Sequence, residues 1–154
     1  TMSFDTKGNT MMGFTPSNLV SLVEDLPLKP IAVGANCGVG PADLIRTILD
    51  MKDTSLPLIA KANAGIPEFI DGEIFYNGVP SLMAEYALLA KRAGAKIIGG
   101  CCGTSVEHIE AINTALLMST DDSPPSLKEI EAKLGRFSGN PGTRVRRKRN
   151  RRNR

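Results

Sequence analysis

Residues 96–107 read Lys-Ile-Ile-Gly-Gly-Cys-Cys-Gly-Thr-Ser-Val-Glu, and this stretch decides the fold. The apolar run 96–98 predicts a short strand. A glycine-rich turn ends it, and Thr104-Ser105-Val106-Glu107 reads as a capping box that opens a helix to about Met118. A strand that passes through a tight turn into a helix is the repeating unit of a parallel β/α architecture.

The same phrase recurs upstream. Residues 1–4 predict a strand, followed by a turn through Gly8 and Gly13 and a helix with Thr15 as N-cap and Pro16 at its first position. Residues 31–33 predict the next strand, then Gly38-Val39-Gly40, and Pro41 opens a helix over 42–51. Leu44, Ile45, Ile48 and Leu49 give that helix one apolar face. The third unit has a strand over 58–62, a long turn through Gly65, Pro67, Gly72 and Gly78, and a helix over 80–93 stopped by Gly94.

Four units with short, mostly apolar strands imply an α/β protein with a parallel sheet. They make half of an eight-unit barrel or a small open doubly wound sheet. Because Thr1-Met2-Ser3-Phe4 enters a strand at once, the expectation is the C-terminal half of a (β/α)8 barrel over residues 1–118. Residues 119–143 read as a linker with a short helix near 126–134, and 144–154 as a basic disordered tail.

Composition narrows the class. With 154 residues, 42% apolar and 23% charged, the chain is long enough for one soluble domain with a real core. No apolar run approaches the ~20 residues of a membrane span, and no basic-then-apolar signal opens the chain. An odd, low cysteine count of three favours a reducing cytoplasm over a disulfide framework. The net charge of +3 averages two regions: the tail holds eight of the 19 basic residues, leaving 11 against 16 acidic residues, or −5, in the body.

All three cysteines sit where a strand hands over to a helix: Cys37 in Gly34-Ala35-Asn36-Cys37-Gly38, and Cys101 and Cys102 in the stretch quoted first. In a β/α fold those strand ends share one face, so cysteines 64 positions apart can converge. Three converging thiolates suit a zinc ion with its fourth position open, the arrangement of a catalytic site. A substrate thiol entering that position loses its proton yet stays nucleophilic, as alkyl transfer to sulfur requires. Packing is the plainer reading, since buried free cysteine is common. Redox chemistry is the other, but adjacent cysteines bridge only with strain and no Cys-x-x-Cys is present. His108, the one histidine, reads as a helix-face residue rather than a fourth ligand.

Gly34-Ala35-Asn36-Cys37, Lys61-Ala62-Asn63-Ala64-Gly65-Ile66-Pro67 and Gly99-Gly100-Cys101-Cys102-Gly103-Thr104 together resemble the zinc-dependent homocysteine S-methyltransferases. The resemblance covers about residues 1–118 and implies a (β/α)8 barrel whose strands five to eight are present here. It implies zinc held by Cys37, Cys101 and Cys102, and methyl transfer from a donor to homocysteine thiolate, giving methionine. Asn63 becomes a candidate contact to homocysteine, beside its plainer reading as a turn residue before Gly65.

For the donor, the expectation is a small molecule, betaine first, on the general look of Ser3-Phe4-Asp5-Thr6 through Met11-Met12-Gly13 and because no cobalamin- or folate-binding domain follows residue 118. S-methylmethionine and a corrinoid- or folate-dependent reaction are the alternatives. A betaine site would want an aromatic cage, to which Phe4, Phe14, Phe69, Phe75 and Tyr76 are the candidates. The amino-acid and donor contacts of the family's N-terminal half have no counterpart here, which implies an incomplete active site, and an oligomer is open. Outside enzymes, the tail would draw nucleic acid at low salt, but no aromatic residue interleaves its cations. A structural zinc domain is the third reading, closed by His108.

Overall fold

The computed structural model describes residues 1–139. The chain runs α1 (Pro16–Glu24), β1 (Val33–Asn36), α2 (Pro41–Asp50), β2 (Leu58–Ala62), β3 (Pro67–Ile70), β4 (Glu73–Tyr76), α3 (Pro80–Arg92), β5 (Ala95–Gly100), α4 (Val106–Met118) and α5 (Leu127–Leu134). Prolines open α1, α2 and α3, where the missing N–H has no intrahelical partner to lose. At α1 the box is complete: Asn18 N–H donates to Thr15 Oγ1 at 3.1 Å and Thr15 N–H donates to Asn18 Oδ1 at 3.3 Å.

β1, β2 and β5 form a parallel sheet in that spatial order, with β2 in the middle. The register sets Asn36 against Lys61 and Ala62 against Gly100, so the three strands end side by side. Along β2, Leu58, Ala60 and Ala62 are buried while Ile59 and Lys61 are half-buried, the alternation of a sheet covered more fully on one face. The core holds Ile45, Ile48 and Met51 from α2 and its end, with Met83, Tyr86 and Leu89 from α3. The described residues form a mixed α/β fold with a parallel sheet and no closed barrel.

Several boundaries differ from expectation. The strand expected over 1–4 is reduced to one bridge: Met2 pairs in parallel with Ala35, taking 3.0 Å hydrogen bonds to Gly34 O and from Asn36 N–H. The strand expected over 31–33 begins at Val33, and Ile31 is 92% exposed, apolar in type but outside the sheet. The long turn after β2 contains an antiparallel hairpin, β3 with β4, pairing Pro67 with Tyr76 and Ile70 with Glu73. Its turn is Asp71-Gly72, both with positive φ (50° and 92°), the conformation that reverses two strands in two residues.

The capping box of α4 is displaced by one residue. Ser105 is the N-cap and His108, not Glu107, supplies the reciprocal contact: its Nδ1 accepts from Ser105 N–H at 3.1 Å. Thr104 instead faces Gly100, where an added Cβ would meet Thr104 Oγ1 at 2.2 Å.

Beyond α4 the chain packs back. Ile130 (0% exposed), Leu134 and Phe137 of the α5 segment join the core. Arg92 reaches Glu129 and Asp121, and Ser138 donates through N–H and Oγ to Asp43 Oδ2 at 3.1 and 2.8 Å. Arg46 stacks 4.8 Å from the Phe137 ring centre. The basic tail at 144–154 lies outside the described residues, as does the end of the 119–143 segment.

Candidate active site

Each cysteine is placed by the residue at which its strand ends. Cys37 follows Asn36, the last residue of β1, and its N–H donates to Lys61 O at 2.9 Å, one step past the β1–β2 ladder. Cys101 follows Gly100 at the end of β5 and donates to Ala62 O at 2.7 Å. Cys102 N–H donates to Asn63 Oδ1 at 3.2 Å and its carbonyl accepts from Ala64 N–H at 2.9 Å. The middle strand β2 and its exit loop therefore fix both cysteine loops from between.

The turn at Cys37 is held by its neighbours. Cys37 adopts φ 58°, uncommon for a residue with a side chain, and Gly38 follows at φ 77°. A Cβ on Gly38 would stand 2.6 Å from Phe4 O. Phe4 is buried, so that carbonyl is backed by the core.

The three Sγ atoms lie within 4.8 Å of one another, with Cys37 and Cys102 at 3.5 Å. All are free thiols; Cys37 and Cys101 are half-buried and Cys102 is exposed, which leaves one side of the cluster open. A tetrahedral zinc with bonds of about 2.3 Å sets its sulfurs about 3.8 Å apart, so the donor set fits zinc in kind and in spacing.

Electrostatics point the same way. Cys102 is held below the ordinary thiol range, first by a hydrogen bond with Cys37 and then by one with the Tyr76 hydroxyl. Cys37 is pushed up to about 11, first by burial and then by its hydrogen bonds with Cys102 and Cys101. Between these two, the surroundings favour charge on Cys102 over Cys37. A second and third negative charge in the same volume need a cation to offset their repulsion.

Of the other residues singled out, Asn63 is buried, and Gly65 N–H donates to its carbonyl at 2.9 Å, so its turn role is visible. Its Oδ1 spans to the Cys102 loop. His108 is away from the sulfurs and is buried rather than presented on an open helix face: its Nε2 lies 2.8 Å from Gly78 O. With Nδ1 accepting from Ser105, Nε2 carries the proton and donates, tying α4 to the exit of the hairpin.

Tyr76 was within reach of sequence reasoning only as a cage aromatic. The signal for its place is Asp71-Gly72, which folds β4 back along β3 and brings Tyr76 over Gly103.

A parallel α/β sheet here gathers three thiols at the ends of its two outer strands, β1 and β5, in a cluster that could hold a soft metal ion. The homocysteine S-methyltransferase family model matches residues 1–116, and the chain belongs to that family. It is 29% identical over 126 residues to a methionine synthase of Mycobacterium leprae (strain TN), covering 80% of this chain and 10% of that protein. It is 28% identical over 117 residues to a methionine synthase of Mycobacterium tuberculosis (strain ATCC 25618 / H37Rv), covering 75% and 10%. The chain thus spans about a tenth of the length of these curated relatives.

Proposed function

We propose that Cys37, Cys101 and Cys102 hold a zinc ion at which homocysteine is activated as a thiolate and methylated to methionine. The observation that carries this is the meeting of three sulfurs within 4.8 Å at the ends of β1 and β5. Family membership supports homocysteine as the acceptor, and the name of the mycobacterial relatives supports methionine as the product.

Zinc bound there would supply a Lewis-acid position at which an incoming thiol ionises near neutral pH. The chain's own residues do the rest. The three sulfurs leave one side open to the substrate, and Asn63, through its link to Cys102 N–H, sets the height of the double-cysteine loop. A contact from Asn63 to homocysteine falls to its amide nitrogen, since Oδ1 is engaged.

In this reading the Met2 segment, β1, β2 and β5 are strands five to eight of the family's barrel. Their order and parallel sense support it, as do β5 edge groups without a strand partner among the described residues. Residues 1–118 form the barrel half, 119–143 its C-terminal extension and 144–154 a basic tail. The cluster of free thiols supports a reducing compartment, and no helix among the described residues is long and apolar enough to cross a membrane.

For the donor, betaine and a corrinoid- or folate-dependent reaction both remain in the proposal. The aromatic candidates give betaine little support: the hairpin register puts Phe75 on the opposite face from Phe69 and Tyr76, and Phe4 is buried.

Adding homocysteine to the zinc-loaded chain at neutral pH should release about one proton per molecule bound. Homoserine, with oxygen in place of sulfur, should release none. Equal behaviour of the two would sink the proposal, and methionine formation from betaine, S-methylmethionine or a methyl-corrinoid, offered separately, would identify the donor.

A further inference from the structure

The loop that carries Cys37 joins β1 to α2, and α2 starts without a side-chain cap, since its N-cap is Gly40. Asp43, in the first turn, is buried, and both of its carboxylate oxygens are engaged. Oδ1 accepts from Arg46 at 3.0 Å, while Oδ2 accepts the Ser138 N–H at 3.1 Å and the Ser138 hydroxyl at 2.8 Å. A carboxylate in a first turn ordinarily serves its own helix. This one binds the start of α2 to a segment 95 positions further along the chain.

We propose that residues 136–139 form a strap that holds the Cys37 loop in place for metal binding, with Asp43 as the positioning residue through which it acts. The consequence at the metal rests on the proposed thiolate–zinc reading.

The contacts close a ring. Gly135, at φ 91°, turns the chain out of α5, and Phe137 is then buried with Arg46 4.8 Å from its ring centre. Beyond Ser138, a Cβ on Gly139 would stand 2.5 Å from Thr6 O, so the strap backbone lies directly on that carbonyl. A Cβ on Gly38 would stand 2.6 Å from Phe4 O. The short segment 4–6 is thus gripped by the Cys37 loop at Phe4 and by the strap at Thr6.

That segment is itself braced at both ends. Met2 is hydrogen-bonded to Gly34 and Asn36, and the Asp5 carboxylate accepts from the Lys7 and Asn9 N–H groups at 2.8 and 3.0 Å. The ring runs from Ser138 through Gly139, Thr6, Phe4 and Gly38 along the loop to Asp43, and back to Ser138. Cys37 sits on it at φ 58°, a conformation that a residue with a side chain keeps only where its surroundings fix it. Cys101 and Cys102 lie on the β5 side, outside the ring.

The test compares the zinc-loaded full chain with Asp43→Ala, Ser138→Ala and Ser138→Thr. Val23→Ala, a buried truncation in α1 outside the ring, controls for lost stability. Each form is read by zinc release to a chromogenic chelator and by iodoacetamide labelling, located by peptide mapping. Hydrogen bonds to a charged group are strong enough that their loss in Asp43→Ala should speed zinc release about tenfold. Ser138→Ala, which keeps the Asp43–Arg46 pair and so preserves the test if Asp43→Ala does not fold, should speed it less. Ser138→Thr retains both donors and should restore the slow rate. Labelling should rise at Cys37 relative to Cys101, whereas Val23→Ala should leave that ratio unmoved.

Unchanged release in the strap variants, or labelling that rises alike at Cys37 and Cys101, would overturn the strap and leave the zinc site standing. If no form takes up zinc, the zinc reading falls and the effect on metal release with it. Cys37-selective labelling of the metal-free variants then decides whether the strap holds the loop.

Discussion

Gly38→Ala separates two costs that usually come together. Gly8 and Gly38 share a φ of 77°, but a Cβ on Gly8 meets nothing within 4 Å, while one on Gly38 meets Phe4 O at 2.6 Å. Gly8→Ala therefore measures the left-handed backbone penalty alone, about 1 kcal/mol. Gly38→Ala adds an overlap with a backbone atom whose residue is buried, so the relief must come from the Cys37 loop. Overpacking of this kind costs about 1–3 kcal/mol, for a total of about 2–4.

The displacement also moves Cys37, whose sulfur is 3.5 Å from that of Cys102, so zinc affinity should fall with stability. Urea unfolding of both variants gives the stability difference, and competition with a chromogenic chelator gives the affinity. If Gly38→Ala is no worse than Gly8→Ala in either measurement, the Phe4 contact does not hold the Cys37 loop and the reasoning fails.

Ile130→Ala removes a fully buried side chain from α5, and the loss should be about 2–4 kcal/mol. Chemical denaturation reads it directly; a change under about 0.5 kcal/mol would mean that α5 does not pack as described. Glu24 provides a pH signature. Its carboxyl is held at about 2 against an ordinary 4.5, first by Lys29 and then by the Ser55 backbone N–H and hydroxyl and by Thr54. A lowered folded pKa gives stability that is full above pH 4.5 and is lost as pH falls toward 2. Stability curves for the protein and Glu24→Gln should therefore converge through that window, and parallel curves would refute the assignment.

What the sequence disclosed was the part written in local chemistry. The prolines before α1, α2 and α3 and the Gly94 stop gave helix bounds near those observed, because caps and breakers act within a few residues. The convergence of Cys37 with Cys101 and Cys102 followed from topology, since parallel strands must end on one face.

The hairpin was hidden for a physical reason. β3 and β4 are exposed on nearly every residue, so no core imposes an alternating pattern, and only Asp71-Gly72 marks them. The α4 cap was misplaced because histidine does the work expected of Glu107: its ring nitrogen accepts as a carboxylate would. Tyr76 is placed by that hidden hairpin. Residues 1–4 read as a strand on apolar pattern, but one bridge is all they make.

The account stands most directly on counting metal and sulfur. Zinc per chain should be measured for the protein and for Cys101→Ser, with X-ray absorption at the zinc edge before and after homocysteine. The prediction is about one zinc bound by three sulfurs, rising to four with homocysteine, and zinc lost in the variant. A folded chain that binds no zinc, or one whose zinc gains no sulfur from homocysteine, would contradict the thiol-activating site.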